Sequence, residues 1–345
     1  MENSALIGAQ ECPRCLTCGA EGKALYNSLE DVLFEVPGKW SVKRCSNDSC
    51  GMLWLDPMPR AEELYKAYKN YSTHHDLVVK SGFVSTLLRR VFAGYRAKRF
   101  GYNTAGITCI DRLLGMLAGL LPPLRLQMEF PFIHFRGVPV GRLLEVGCGG
   151  GESLKMFNRW GWTTEGVDFD EAAVANARAK GLTVYLGDLF SRNYEANSFD
   201  AIYSSHVLEH VPHPEALLVE CHRLLKPGGR CVILTPNADS IGHRLYGSSW
   251  RGLEPPRHLH IFTRGSLEKM VHSAGFTRTQ ITTSSRLAGA MYIQSTLMSR
   301  HGRLDSRAPI DVKFRVIIIH FLAYIYRRVS CHSGEEIIFF GHKSE

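Results

Sequence analysis

No apolar run in this 345-residue chain approaches the roughly 18 residues that a membrane-crossing helix requires. The two nearest, "LLGMLAGLL" at 113–121 and "VIIIHFLAYIY" at 316–326, are too short to span. Arg315 precedes the second and Arg327 and Arg328 follow it, so a peripheral membrane contact and a helix buried against the main domain both fit. The opening "MENSALIGAQECPRC" lacks a basic stretch running into an apolar core. No secretory leader is therefore expected, and the expected setting is cytoplasmic, with membrane-peripheral placement left open. An acidic excess is also missing: 41 Lys and Arg against 33 Asp and Glu give a net charge of +8. That balance suits an anionic partner, whether a phosphorylated small molecule, nucleic acid or a membrane surface, and equally a merely solvated basic face. There is no internal repeat and no low-complexity tract, while 45% hydrophobic and 21% charged residues leave enough apolar material for a sizeable core.

Four regions separate along the chain. Residues 1–60 hold half of the ten cysteines and end in the turn-rich "LDPMPR". Residues 61–139 mix a helical "AEELYKAY", a polar "NYSTHHD" with Tyr71, His74 and His75, and a basic amphipathic stretch closed by Pro122-Pro123. Residues 140–285 alternate short apolar runs ("RLLEVG", "TTEGVDFD", "TVYLGDL", "FDAIYSS", "RCVILTPN") with helix-like pieces. One such piece opens on Pro214 and carries Leu217, Cys221, Leu224 and Leu225 inward. Alternation of this kind predicts a parallel sheet covered by helices on both faces, an α/β doubly wound architecture. Only residues 190–198 join the third and fourth runs, so that crossover helix is short or missing. Residues 286–345 read as helical and basic, with "EEIIFFGHK" returning as a strand at the sheet edge.

Five of the nine residues in "LLEVGCGGG", 143–151, are small or glycine immediately after a strand-like run. A strand turning sharply into a helix brings backbone close to any ligand at the sheet's carboxyl edge, where side chains would collide with it. The dinucleotide pattern G-x-G-x-x-G fails here, since its third glycine would fall on Glu152. A G-x-x-x-x-G-K-[ST] phosphate loop is absent too. The pattern present is Glu145-x-Gly147-x-Gly149-x-Gly151.

An acidic residue and three alternating glycines resemble the first motif of the class I S-adenosylmethionine-dependent methyltransferases, which have a Rossmann-like fold. The resemblance implies that Gly147, Gly149 and Gly151 line the methionine part of that cofactor, and that Glu145 holds its ammonium directly or through water. Asp168, ending "EGVDFD", is placed to accept two hydrogen bonds from a ribose diol. The family comparison maps Asp188 of "YLGDL" to the adenine amino group. "SFDAIYSSHVLEHV" and "LLKPGGRCVILTPN" look like the family's fourth and fifth strand signatures, in order.

"CPRCLTCG" and "RCSNDSCG" offer Cys15-x2-Cys18 and Cys45-x4-Cys50, each pair followed by Gly. In a chain without a leader such pairs suggest metal before disulfide, and four thiolates close a tetrahedral structural zinc site. Cys12-x2-Cys15 has ligand spacing as well, so the choice of ligands stays open, with the two Cys-Gly pairs preferred. Free thiols in a disordered leader are the alternative. The region resembles the amino-terminal zinc module of some sugar and natural-product methyltransferases, whose second pair usually has two intervening residues.

Methyl transfer to a hydroxyl or an enolisable carbon is helped by a general base, usually histidine near neutral pH. "SSHVLEHV" supplies His206 and His210, and "EPPRHLHIFT" supplies His258 and His260. The zinc-module sugar C-methyltransferases carry a Glu-His pair that aligns His258 with their base and puts Arg257 where their Glu stands. The other readings are His206 lining the acceptor site, His210 as a base or a helix-start residue, and His260 as packing. Together these features point to methylation, on oxygen or carbon, of a small-molecule or glycan acceptor: a sugar, nucleotide-sugar or polysaccharide. Two alternatives stand beside it, a nucleic-acid methyltransferase and a non-catalytic cofactor-binding protein of an assembly. The Asp/Asn-Pro-Pro-aromatic turn of base amino-methylation is replaced by "SSHVLE", which argues against nucleic acid.

Overall fold

Each apolar run of residues 140–236 becomes a strand in the computed structural model, which describes residues 6–69, 83–101, 106–130, 132–302, 319 and 332–345. Tyr71, His74, His75 and nearly all of 316–326 lie outside the described residues. Two compact units result, one drawn from Met1–Tyr71 and Leu189–Glu345, the other from Ser72–Asp188.

The largest sheet has seven strands: β1 (Arg142–Val146), β2 (Thr163–Asp168), β3 (Val184–Leu186), β4 (Phe199–Ser205), β5 (Leu225–Pro236), β6 (Thr277–Ser284) and β7 (Glu336–His342). Within Ser72–Asp188, β1 pairs with β2 and β2 with β3, both parallel. Within the other unit, β4 and β5 are parallel, and β7 is inserted antiparallel between β5 and β6. This is the expected Rossmann-like α/β sheet, and its mainly parallel strands are continuously buried, as strands covered on both faces must be. The helix Pro214–Leu224 buries Leu217, Cys221 and Leu224, as its spacing predicts. The connection from β3 to β4 carries a single 3-10 turn, Phe190–Arg192.

The sheet departs from the sequence reading at its far side. "EEIIFFGHK" does not end the sheet: β7 has a hydrogen-bonded neighbour on each side, and β6 is outermost. β6 escapes an apolar pattern because it reads "TRTQITTS", half exposed and threonine-rich, a strand by β-propensity alone.

The amino-terminal segment folds on a second sheet in the same unit. Gly22–Leu29 pairs with Trp40–Cys45, and Trp40–Cys45 with Leu53–Leu55. A short strand from the histidine loop, His260–Ile261, then adds to Leu53–Leu55. One buried cation joins the same partners. Arg257 has no exposed side-chain surface; its two terminal nitrogens bond both oxygens of Asp31, at 2.7 and 2.8 Å, and its Nε bonds Glu254 at 2.9 Å. Its plane lies 4.3 Å from the centroid of Phe34. Asp31 is itself fixed by the N–H groups of Leu33, Phe34 and Val36. Removing one partner from such a buried group strands the others. Arg257→Ala should therefore cost about 3–5 kcal/mol of unfolding free energy, read as a lower urea midpoint. A midpoint within error of the parent protein would show that the network contributes nothing.

Candidate active site and cysteine centre

In the Ser72–Asp188 unit, β1 runs into a turn whose glycines 147, 149 and 151 all have positive φ. Their needs differ. Gly151 is the N-cap of the helix Glu152–Arg159, and its φ of 79° together with a Cβ position that meets Leu182 favours glycine. Gly149, at φ 49°, faces open space, with nothing within 4 Å of where a Cβ would stand. That open face is where a ligand can approach backbone. Asp168, at the end of β2, accepts the Gly149 N–H at 2.7 Å on one oxygen and the Asp170 N–H at 3.0 Å on the other. The carboxylate thus holds the turn in shape.

Glu145 is 3% exposed, and its Oε2 is buried with no hydrogen-bond partner. Burial pushes its carboxyl well above the usual range, against hydrogen bonds from Ser153 and the Leu154 N–H, and the nearby Asp168 charge adds to the rise. A buried acceptor left unsatisfied beside a second carboxylate favours an incoming cationic donor. Asp188 lies exposed two residues past β3. Sequence reasoning passed over Phe169, 59% exposed directly after Asp168, an apolar plate whose only signal was its place behind the acid.

In the other unit, the sulfurs of Cys15, Cys18, Cys45 and Cys50 lie within 4.8 Å of one another. The Cys15–Cys50 and Cys18–Cys45 separations are 3.6 and 3.4 Å. Four sulfurs each about 2.3 Å from a tetrahedral centre stand about 3.8 Å apart, so the set fits zinc. The Cys12 thiol points to the Arg14 carbonyl instead, 3.9 Å away. The hydrogen bond from Cys50, with the N–H groups of Cys18 and Thr17, outweighs burial and holds Cys15 down at about 5. Burial pushes Cys45 up to about 11, against a bond from the Asn47 N–H, and the contact with Cys15 pushes Cys50 higher still. Cys45 and Cys50 resist ionising beside Cys15, and a divalent cation would remove that conflict.

The same unit gathers the histidines around buried carboxylates. His206 directly follows β4, at φ 57°, a region costly for a side-chain-bearing residue. Its Nδ1 lies 3.1 Å from Glu209 and its Nε2 3.3 Å from Glu336. Burial opposes its charge, but the two carboxylates prevail and hold His206 up at about 9. Glu209 also accepts from Thr235 at 3.0 Å, and Glu336 from Arg286. Despite burial, the His206 contacts hold both acids down at about 2. His206 is therefore an imidazolium at neutral pH.

His210 and His258 are different. Their ring centroids are 4.6 Å apart at 73°. His258 Nδ1 donates to the Gly252 carbonyl at 2.7 Å, and burial pushes it down to about 4 although Glu254 stands 3.5 Å from its Nε2. Burial also lowers His210, whose Nδ1 meets the Tyr68 hydroxyl at 2.9 Å. Both rings are neutral at pH 7. The carboxylate beside His258 is Glu254, four residues earlier, while Arg257 turns away into its own network. One ligand atom each of Glu209, His210 and His258 lies within 4.8 Å of the others, so the trio could share a proton or a divalent cation. His260 sits in the short strand opposite Trp54.

Residues 119–281 match a family model described as a methyltransferase domain. The ubiquinone biosynthesis O-methyltransferase of Maricaulis maris is 31% identical over 189 residues, 52% of this chain and 65% of that protein. The like-named protein of Thiobacillus denitrificans is 30% identical over 174 residues, 46% of this chain and 73% of that protein. The chain spans between 44% and 65% of the length of the first four such relatives. Among solved structures, a SAM dependent methyltransferase from Archaeoglobus fulgidus aligns with a TM-score of 0.43 and 20% identity, over 66% of this chain and 94% of that one.

The His206 network sets a pH dependence of stability. The folded pKa of about 9 lies above the ordinary value of 6.5, so its contribution is complete below 6.5 and is lost as pH rises through about 9. Thermal melts should show a fall worth about 2–3 kcal/mol over that window. His206→Asn should flatten it; a variant that retains the full decline would assign the effect to other groups.

Proposed function

Since the chain belongs to the class I S-adenosylmethionine-dependent methyltransferase family, we propose that it transfers a methyl group from S-adenosylmethionine to a hydroxyl of a small molecule. The relatives named as O-methyltransferases favour oxygen over carbon as the methylated atom. The observation that carries the reading is the Glu145–Gly149–Asp168 cradle, with an open backbone face and an orphaned buried carboxyl oxygen. Glu145 takes the cofactor's ammonium and Asp168 its ribose diol, Gly147 and Gly149 admit the methionine part, and Phe169 with Asp188 receives the adenine. Bound there, the cofactor supplies an electrophilic methyl on a sulfonium, and the protein's task is to hold the acceptor hydroxyl in line and take its proton.

His210 is the base in this reading. It is neutral at pH 7 and less enclosed than His258. His258, which accepts a proton only near pH 4, is a positioning residue that fixes the His210 ring. The imidazolium of His206 orders Glu209 and the end of β4. Within the class of hydroxyls, the four-cysteine module supports a sugar or glycan acceptor, by its likeness to the module of sugar methyltransferases. The module holds one structural zinc through Cys15, Cys18, Cys45 and Cys50.

Incubation with labelled cofactor and separate pools of hydroxylated phenols and nucleotide-sugars should add one methyl to a nucleotide-sugar. His210→Ala should lose at least about 100-fold in kcat while binding cofactor normally. Because burial lowers His210, kcat/KM should rise with pH through a value below 6.5 and be level by neutrality, a limb that His258→Asn keeps at a reduced rate. Methylation of phenols alone would remove the sugar reading and keep O-methylation; no transfer to any hydroxyl, with cofactor bound, would remove both.

The zinc reading has its own test. Metal analysis of the purified chain should find about one zinc per molecule, released on treatment with a thiol-reactive mercurial. Cys12→Ser should retain the metal and Cys50→Ser lose it. A folded protein carrying no metal would overturn the assignment.

A further inference from the structure

In the helical pair of the Ser72–Asp188 unit, the second helix turns its small residues into the seam and its large apolar residues outward, and Tyr95 of the first helix is enclosed against them. Phe83–Phe100 packs against Cys109–Ala118. On the second helix the buried positions are Asp111, Gly115 and, just past its end, Gly119, a stripe at spacing four. The first helix meets them with Gly94 and Tyr95: a Cβ on Gly94 would run into the Asp111 backbone, and one on Gly115 into Tyr95. Backbones approach closely there, and no large apolar side chain of the second helix enters the seam. Those side chains point out instead. Ile110 is 68% exposed, Leu113 61%, Leu117 53%, Leu120 76% and Leu121 57%. A helix hairpin stabilised by water-driven burial places such residues between its helices. The reversed arrangement, small residues in the seam and leucines outward, is how helices associate where the surrounding medium is itself apolar.

Charge selects the occupant of that face. Residues 83–136 contain eight Lys and Arg and two acids. Both acids are turned inward: Asp111 is 4% exposed and bonded to Arg90, and Glu129 is 8% exposed and bonded to the Tyr95 hydroxyl at 2.6 Å. Arg89, Lys98, Arg99 and Arg112 are exposed on the same pair of helices. The surface therefore offers leucines and cations and, among the described residues, no exposed carboxylate. The second helix has 10 residues and, at 1.5 Å per residue, about 15 Å of length, half of a bilayer's core. No helix among the described residues is long and apolar enough to cross a membrane.

We propose that this helical pair lies in the interface of an anionic lipid membrane, its leucine face among the acyl chains and its arginines and lysines at the headgroups. The proposal stands apart from the identity of the methyl acceptor and would survive its revision. Amphipathic elements of this kind bind through buried apolar area together with attraction to acidic lipid, so binding should need both.

Co-sedimentation of the full chain with vesicles tests it. The chain should pellet with vesicles of phosphatidylcholine containing about one-third phosphatidylglycerol and remain in the supernatant with phosphatidylcholine alone. The double variant Leu113→Glu/Leu117→Glu alters two exposed positions, so its melting temperature should equal the parent's while its partition onto anionic vesicles falls at least about tenfold. A second variant, Arg89→Gln/Arg112→Gln, should weaken binding and reduce its sensitivity to salt. Failure of the parent chain to pellet with anionic vesicles would overturn the proposal, as would undiminished binding by the leucine variant. Sedimentation equilibrium showing a dimer that the leucine variant abolishes would assign the face to a second copy of the chain and equally overturn it.

Discussion

Arg257 is a full positive charge with no exposed side-chain surface, and the Met1–Tyr71 and Leu189–Glu345 unit is arranged around making that tolerable. Desolvating a guanidinium costs several kcal/mol, which only close, geometrically good anionic partners offset. Asp31 supplies a two-point contact from the amino-terminal segment, and Glu254 a third bond from within the histidine loop. Asp31 cannot move to suit Arg257, because three backbone N–H groups already hold it. The loop must therefore come to the amino-terminal segment. Once it does, His260–Ile261 lies in register with Leu53–Leu55, and Thr263, the N-cap of the helix Arg264–Ser273, reaches the Cys50 carbonyl. The cysteine centre and the histidine loop are thus joined through hydrogen bonds that depend on one buried ion.

The same constraint explains His258. Glu254 sits at φ 34° and offers one oxygen to Arg257 and the other towards Arg251 and His258. Glu254 favours a charged His258, but burial outweighs it and keeps the ring neutral. His206 meets the opposite balance. Glu209 and Glu336 both face it, with Arg286 bonded to Glu336, and the ring becomes charged. Two histidines in one unit thus reach different protonation states according to whether the carboxylates bonded to the ring outweigh its burial.

What the chain reveals when read linearly follows the range of the interactions. The glycine turn, the strands ending in acids and the helix opening on Pro214 are set by neighbours a few residues apart, and all are legible in the sequence. The cysteine quartet is legible because ligand spacing is local within each pair, even though the pairs are 27 and 35 residues apart. The Arg257–Asp31 contact spans 226 residues and has no local signature. Without it, Arg257 looks like a glutamate lost from a Glu-His pair. The acids opening β7 hide for the same reason. Alternation sends Glu336 to His206 and Arg286, and Glu335 to Trp250, Tyr292 and the Gly242 N–H. Both carboxylates are buried, and no periodicity in "EEIIFF" distinguishes them from a polar strand end.

Satisfaction, more than burial, separates Glu145 from the deeply buried charged residues of the histidine networks. Arg257, Glu209 and Glu336 are as deeply buried as any side chain, and each has its hydrogen-bonding capacity met from within the protein. Glu145 is buried to a similar degree, yet Oε2 has no partner, and a second carboxylate, Asp168, raises its pKa further. A chain selected only for stability would lose little by placing an apolar residue there, since an orphaned acceptor costs about 1–3 kcal/mol. The cost becomes useful when the missing partner is a cation arriving from solution. Its positive charge favours ionisation of Glu145, and the free energy held in the unsatisfied carboxyl then appears as affinity. On that ground the turn at Gly149 suits the positively charged cofactor of the proposed reaction, and the neighbouring open backbone face leaves room beside it.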